Sequence, residues 1–427
     1  MVTLIVTPGP RFATPYLDRI EGPACCVIPA GTEHLWVGVP VPLLTVTSWT
    51  DYSQLAQRVA PLPTVTRVIG PHETTTAAAG FLSSLLGARG RDWAQSVAFT
   101  DKAVMKRRLH EAGIPVARWA VVHSIGDIAA AADELGWPVV VKPRRGCGTL
   151  GTHRIGDAGH LRQLRTAGAF AARTAPEDVD ETLRAAGVYG SLDSTADGFL
   201  VEQYIDILAE YTCDIVTWPD RSRITLVTEH ARPLLDAVQE GQAAEHVTLG
   251  DDSPVAADVI ALTLRALDIL GDPHSPVHCE VFLTRDGDYV LGEIACREGG
   301  TALPVVCEML FGVNTFDAGI DLALERELPT PTDRRYEAIA TVALVPAHGI
   351  VRRVPARSEL EALPGVLRAE TRVRENDYLG RGRGSAAAAG YLFLEPDPRW
   401  PLEAQRAEIR ALAEPLFSVE PEPISVP

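Results

Sequence analysis

Residues Val277–Gly300 read VHCEVFLTRDGDYVLGEIACREGG. Two runs alternate apolar and polar residues, and between them sits Asp286-Gly287, a dipeptide that favours a tight β-turn. Folding about that turn pairs Arg285 with Asp288, Leu283 with Val290 and Glu280 with Glu293. Two carboxylates then face each other across the ladder, their Cβ atoms about 5 Å apart. Like charges so placed destabilise a hairpin, and both strands are otherwise apolar. A divalent cation with oxygen ligands removes the conflict, and Mg²⁺ commonly takes one or two carboxylates plus nucleotide phosphates. A longer turn would slip the register by one residue and send the two side chains to opposite faces. His278 shares the face of Glu280 by period two, either supporting the site or as an ordinary edge histidine. Arg297 follows the second strand, with Glu298-Gly299-Gly300 behind it, where backbone can approach a ligand closely. A cation there suits phosphoryl transfer, in which the protein supplies position and charge.

A second stretch, WPVVVKPRRGCGTLGTHRI at 137–155, ends an apolar run in Lys142 and continues into a glycine-studded turn. GCGTLG at 146–151 matches G-x-G-x-x-G in letters only. A dinucleotide fold needs those glycines to open a helix and an acidic residue about 20 positions on. Here an extended THRI follows, and AAR stands near 171. A Walker A loop places its lysine after the glycines, and Lys142 precedes them. What remains is a β-hairpin whose glycine tip folds over phosphates, its N–H groups donating to the oxygens while Lys142 reaches the same anion. The plain alternative is a surface hairpin.

The chain has 39 Lys plus Arg, and three of these are lysine: Lys102, Lys106 and Lys142. Lysine is a compact charge on a flexible stem, which suits sites where a planar guanidinium does not fit. FTDKAVMKRRLHEAGIP reads as a helix with Thr100 as N-cap, Gly113 as stop and Pro115 beyond. Val104, Met105, Leu109 and Ala112 make its apolar face, and Lys102 and Lys106 share a face at i,i+4. In FLVEQYIDILAEYTCDIV at 199–216, a strand ends at Glu202, Gln203, Tyr204 and Ile205, whose backbone can read an adenine edge. Glu210 lies eight residues after Glu202, within reach of ribose hydroxyls.

Together these stretches resemble the ATP-grasp superfamily, in its order along the chain from about 100 to 300. The resemblance implies an α/β (α+β) fold with three parts. These are an amino-terminal parallel-sheet domain (1–97), an ATP-grasp region (98–330, lid about 118–200) and an appended carboxy-terminal domain (331–427) like that of L-amino acid ligases. It implies ATP and Mg²⁺ as cofactors, with Mn²⁺ as an allowed substitute. Lys102 and Lys142 would bind phosphates, and Gly146, Gly148 and Gly151 would form the lid loop. Glu202 with Gln203, Tyr204 and Ile205 would hold adenine, and Glu210 ribose. Glu280 and Glu293 would bind the metal, and Arg297 would act catalytically together with Lys142. Many members carry asparagine two residues after the second metal glutamate, where this chain has Ala295. The implied chemistry joins a small carboxylate to an amine, both amino acids or peptides, through an acyl phosphate with release of ADP. Rivals are a carrier-protein thiol as acceptor and a regulatory module that binds nucleotide without turnover. His230, Arg232 and Arg381, the last in GRGRG at 380–384, are candidate substrate contacts or solvent-facing residues.

Length and composition agree with a multidomain folded protein: 427 residues, 46% hydrophobic and 22% charged. A formal charge of −17 disfavours nucleic acid, whose phosphates need a basic surface. No run reaches the roughly 18 apolar residues of a membrane span, and the start lacks the features of a signal peptide. Seven scattered cysteines without a C-x-x-C spacing fit reduced thiols in a cytoplasmic protein, with a homodimer as the allowed assembly.

Overall fold

The computed structural model describes residues 1–149, 151–170, 197–300, 302–379 and 388–421. Four short β-branched runs build the first sheet: β1 (Val2–Val6), β2 (Ala24–Pro29), β3 (Leu43–Val46) and β4 (Val65–Ile69). They pair in parallel in the order β3-β2-β1-β4. The helix Glu73–Leu86 follows β4 and packs on it.

The second sheet contains β5 (Trp119–Val122), β6 (Val139–Pro143), β7 (His153–Ile155) and β8 (Phe199–Gln203), in the order β5-β8-β6-β7 and antiparallel. The hairpin β6–β7 carries the glycine turn at its tip. Val139 and Val141 are fully buried on one face, and Lys142 lies on the other by the period of two.

The third sheet has eight strands. It runs β13-β12-β9-β10-β11 and then through Ala340–Leu344, Gly390–Leu394 and Val366–Thr371, all antiparallel. Here β9 is Ile207–Thr217, β10 Arg223–His230, β11 His246–Thr248, β12 Val277–Thr284 and β13 Tyr289–Ala295. Alternation decides which face does what. Val277, Cys279 and Val281 of β12 and Tyr211, Cys213 and Ile215 of β9 sit in one apolar core with the helix Pro254–Leu270. His278, Glu280 and Phe282, with Glu210 and Thr212, turn to the opposite face and line a cavity.

The helix at 102 starts one residue later than the sequence suggests. Thr100 ends the preceding helix Trp93–Thr100, and Asp101 is the N-cap, accepting from the N–H groups of Ala103 and Val104. A carboxylate satisfies two free N–H groups and favours the positive helix end. Met105 and Leu109 anchor the helix in the core, each contributing roughly 2–3 kcal/mol by burial, whereas Ala112 is exposed. After the last strand of the hairpin the chain forms two helices, Leu303–Phe311 and Thr315–Ala323, at 93° to each other. Gly312 takes a left-handed φ of 73° as C-cap, and the Asn314 side chain caps the next helix.

The hairpin corrects the expected register in part. Glu280 pairs with Glu293, but Leu283 pairs with Tyr289 and not with Val290. The turn is one residue longer: the Thr284 N–H donates to the Asp288 carbonyl and the Gly287 N–H to the Thr284 carbonyl, with Gly287 at φ +89°. A bulge between Glu280 and Val281, at Gly292, then takes up the slip. A Cβ at Gly292 would stand 2.7 Å from Cζ of Phe282. We expect Gly292→Ala to displace that ring, disturb the cavity that Phe282 lines and cost about 1–3 kcal/mol in chemical denaturation. Wild-type stability in the variant would refute this.

Candidate active site

Lys102, Lys142, Gly146, Gly148, Glu202, Gln203, Tyr204, Ile205, Glu210, Glu280, Glu293 and Arg297 all line one cavity of about 200 Å³ between the second and third sheets. Of the residues singled out from sequence as site residues, Gly151 alone is not part of that wall. It stands at the foot of the turn with φ +68°. Residues 150, 171–196 and 380–387 lie outside the described residues, and with them GRGRG and Arg381.

All three lysines converge here. Lys102 Nζ donates to Glu293 Oε1 at 2.7 Å and to the Gly146 carbonyl at 2.6 Å, so the ammonium ties the second strand glutamate to the glycine loop. Lys142 Nζ and Lys106 Nζ lie 3.1 and 3.2 Å from the same Glu202 Oε1. Lys106 was legible only as a face-mate of Lys102. It is 2% exposed on its side chain, and Nζ also donates to the Gly292 carbonyl at 3.4 Å, at the bulge. The carboxylate of Glu202 is therefore engaged by two ammonium groups. It fixes Lys142 from the cavity wall. Gln203, Tyr204 and Ile205 stay on the wall, and the Tyr204 ring is covered by Arg154 at 4.0 Å.

Arg297 Nε donates to Glu73 Oε2 at 2.6 Å, and Nη1 to the Glu298 carbonyl at 2.7 Å. Glu73 belongs to the first helical turn after β4, more than two hundred residues away, and sequence spacing gave no signal of it. His278 Nδ1 lies 3.0 Å from Asp214 Oδ1, so the histidine is held by a buried acid. Gly299 is needed for that packing, because a Cβ there would stand 2.3 Å from Asp214 Oδ1. His230 lines the cavity floor beside His246 at 4.4 Å between ring centroids. Arg232 instead pairs with Glu240 at 2.7 Å on the surface.

Charge follows from these contacts. Burial and the negative charge of Glu293 push the Glu280 carboxyl up. Burial also works against Glu293, but Lys102 and Lys142 outweigh it and hold that carboxyl down. Burial and Glu280 push Glu210 up to about 8, against the Leu234 N–H donated to it at 2.7 Å. One carboxylate of the facing pair is thus neutralised by lysine while the other awaits a cation. The pair suits Mg²⁺ completed by phosphate oxygens and water. Among the described residues no group of three or more His, Cys, Asp or Glu could by itself hold a metal, and buried Ala295 offers no third ligand. Raised carboxyls make protons compete with the metal, so affinity for Mn²⁺·ADP falls as the solution is acidified. We expect calorimetry to show that fall, steeper than the nucleotide's own titration gives. A flat profile would contradict the raised Glu280.

Comparison with known proteins agrees with the geometry. Residues 101–181 match the family model for the carbamoyl-phosphate synthase L chain, ATP binding domain. The L-arginine-specific L-amino acid ligase of Bacillus subtilis is 26% identical over 350 residues, covering 82% of this chain and 79% of that protein. The crystal structure of an L-amino acid ligase from Bacillus licheniformis superposes with a TM-score of 0.66 at 14% identity, covering 99% of this chain and 98% of the other. A carboxyaminoimidazole ribonucleotide synthase from Aspergillus clavatus, complexed with ATP, gives 0.62 at 14% identity over 96% and 98%. Among the described residues no single helix is long and apolar enough to cross a membrane. With the cavity between two antiparallel sheets, its lysines and its facing glutamates, these likenesses give the chain an ATP-binding domain over residues 101–181 and make it similar, over most of its length, to ligases of the ATP-grasp superfamily.

Proposed function

We propose that the chain joins the carboxylate of one amino acid to the amine of another amino acid or peptide, through an acyl phosphate. A carboxylate oxygen of the first substrate attacks the γ-phosphorus of ATP and ADP leaves. The amine then attacks the acyl carbon, inorganic phosphate leaves, the nitrogen loses a proton and an amide remains. Carboxylates are poor electrophiles, and the phosphoryl group supplies the leaving group.

The observation that carries this reading is the convergence of Lys102, Lys142 and the hairpin residues Glu280, Glu293 and Arg297, from three separate stretches of the chain, on one cavity. Lys102 and Lys142 would grip phosphates, and Glu280 and Glu293 would hold Mg²⁺, which supplies charge neutralisation between them and the nucleotide. Gly146 and Gly148 would lie over the phosphates and keep water from the acyl phosphate. Arg297 would stabilise charge on the transferring group. Gln203 to Ile205 would present backbone to adenine, and Glu210 to ribose. The relative's L-arginine specificity supports an amino acid as substrate. Lys142→Ala should lower kcat by about 10²-fold. An unchanged turnover would defeat its role. The deciding experiment is ADP release from ATP across an amino-acid matrix, with hydroxylamine present to trap an acyl phosphate as a hydroxamate. AMP as the product, or no nucleotide turnover with any acid, would overturn the proposal.

A further inference from the structure

The two arginines that open the glycine turn are tied to one buried acid. Arg144 Nε donates to Asp101 Oδ1 at 2.8 Å, and Arg145 Nη2 stands 3.6 Å from Asp101 Oδ2. Arg145 Nη1 also pairs with Asp197 at 3.4 Å. The backbone repeats the link: the Lys102 N–H donates to the Arg144 carbonyl at 3.1 Å, and the Arg144 N–H to the Gly198 carbonyl at 3.3 Å. The Lys102 ammonium holds the Gly146 carbonyl. Beyond it, the described residues of the turn bond only among themselves, Thr149 Oγ1 to the Gly148 carbonyl and the Thr152 N–H to the Thr149 carbonyl. Among the described residues, Asp101 and Lys102 thus supply every hydrogen bond and ion pair that ties 144–149 to anything beyond the second sheet and its connections.

A helix cap does not require this arrangement. Oδ1 alone accepts from the Ala103 and Val104 N–H groups, and asparagine or serine caps a helix as well as aspartate does. The Asp101 side chain is 1% exposed, and a full charge at that depth is costly unless it is paired. Two guanidinium groups supply the pairing. Asp101 Oδ2 and Arg145 Nε are both buried without a hydrogen bond among the described residues. Their side chains already face each other, so a small shift of the turn would close a charged contact between them.

We propose that Asp101 is a positioning residue. Through Arg144 and Arg145 its carboxylate locks the base of the glycine turn to the start of the helix that carries Lys102. Turn and ammonium then meet the nucleotide phosphates as one unit. A loop held in register loses less freedom when it binds, so removing the lock weakens nucleotide binding more than it slows the chemistry. The assignment rests on the nucleotide-binding reading of the first cavity.

Asp101→Asn keeps the capping oxygen and removes the charge. Its Kd for Mg²⁺·ADP by calorimetry should rise about 10-fold, within the range for contacting charges in one network. KM for ATP should rise with it, while kcat for ADP release stays within a few-fold of wild type. Arg145→Ala should do the same, and the double variant should be no worse than either single one, because both remove the same link. Arg145 is 25% exposed on its side chain, so the arginine variant carries the test should Asp101→Asn not fold, which thermal unfolding reports. If the folded variants bind Mg²⁺·ADP as wild type does, or if their losses multiply in the double variant, Asp101 is a helix cap only, and the nucleotide reading stands. If wild type itself binds no Mg²⁺·ADP, the reading of the first cavity fails and this assignment falls with it.

Discussion

Glu293→Gln lowers the rate of ADP formation by about 10²–10³-fold, the range for removing one preorganised charge contact at a transition state. The glutamate faces Glu280 across the ladder and bonds the Lys102 ammonium, so a single neutral amide changes both the metal pair and a phosphate-binding lysine. Removing a charge from the metal pair weakens the cation. Removing it beside Lys102 leaves that ammonium neutral acceptors, the new amide oxygen and the Gly146 carbonyl, and no counter-charge. The loss should appear in kcat and, by calorimetry, in Mn²⁺·ADP affinity together. A variant that binds Mn²⁺·ADP as tightly as wild type and turns over within a few-fold of it would remove Glu293 from the metal site.

Glu202→Ala destabilises the protein by about 3–5 kcal/mol, because it strands buried charge. Lys106 is 2% exposed and Lys142 14% on their side chains, and both lean on the same carboxylate oxygen. Burial alone would push the Glu202 carboxyl up, but the two ammonium charges hold it below its ordinary value. The sign follows. The stabilisation is complete above the unfolded-chain value near 4.5 and is lost as pH falls through the lower folded value. Chemical denaturation of wild type and variant at neutral pH measures the difference, and it should narrow in acid. Equal stabilities at neutral pH would mean that the lysines find other partners or lose their protons.

Alternation and turn chemistry made much of the site legible. Val277, Cys279 and Val281 against His278, Glu280 and Phe282 is a period of two, and such a pattern sends each set to its own face whatever the rest of the fold does. Asp286-Gly287 located the hairpin. Its length was not legible, because the extra turn residue and the bulge at Gly292 cancel at the glutamates, and no local pattern announces a compensating pair. The scarcity of lysine pointed to one region, and all three ammonium groups proved to share it. Glu202 reads from sequence as an adenine contact, and the structure adds what no local pattern announces, that Lys106 and Lys142 both lie against one of its oxygens.

What the sequence by itself determined is therefore local: which strands exist, which faces they show, and that two acids meet across one turn. What only the tertiary structure decided is every pairing between distant segments, among them Glu73 with Arg297 and Asp214 with His278. Backbone periodicity is set within a few residues by steric and hydrogen-bond rules. Side-chain partners 64 and 224 positions apart are chosen by packing of whole sheets and helices, and a linear pattern carries no trace of that distance.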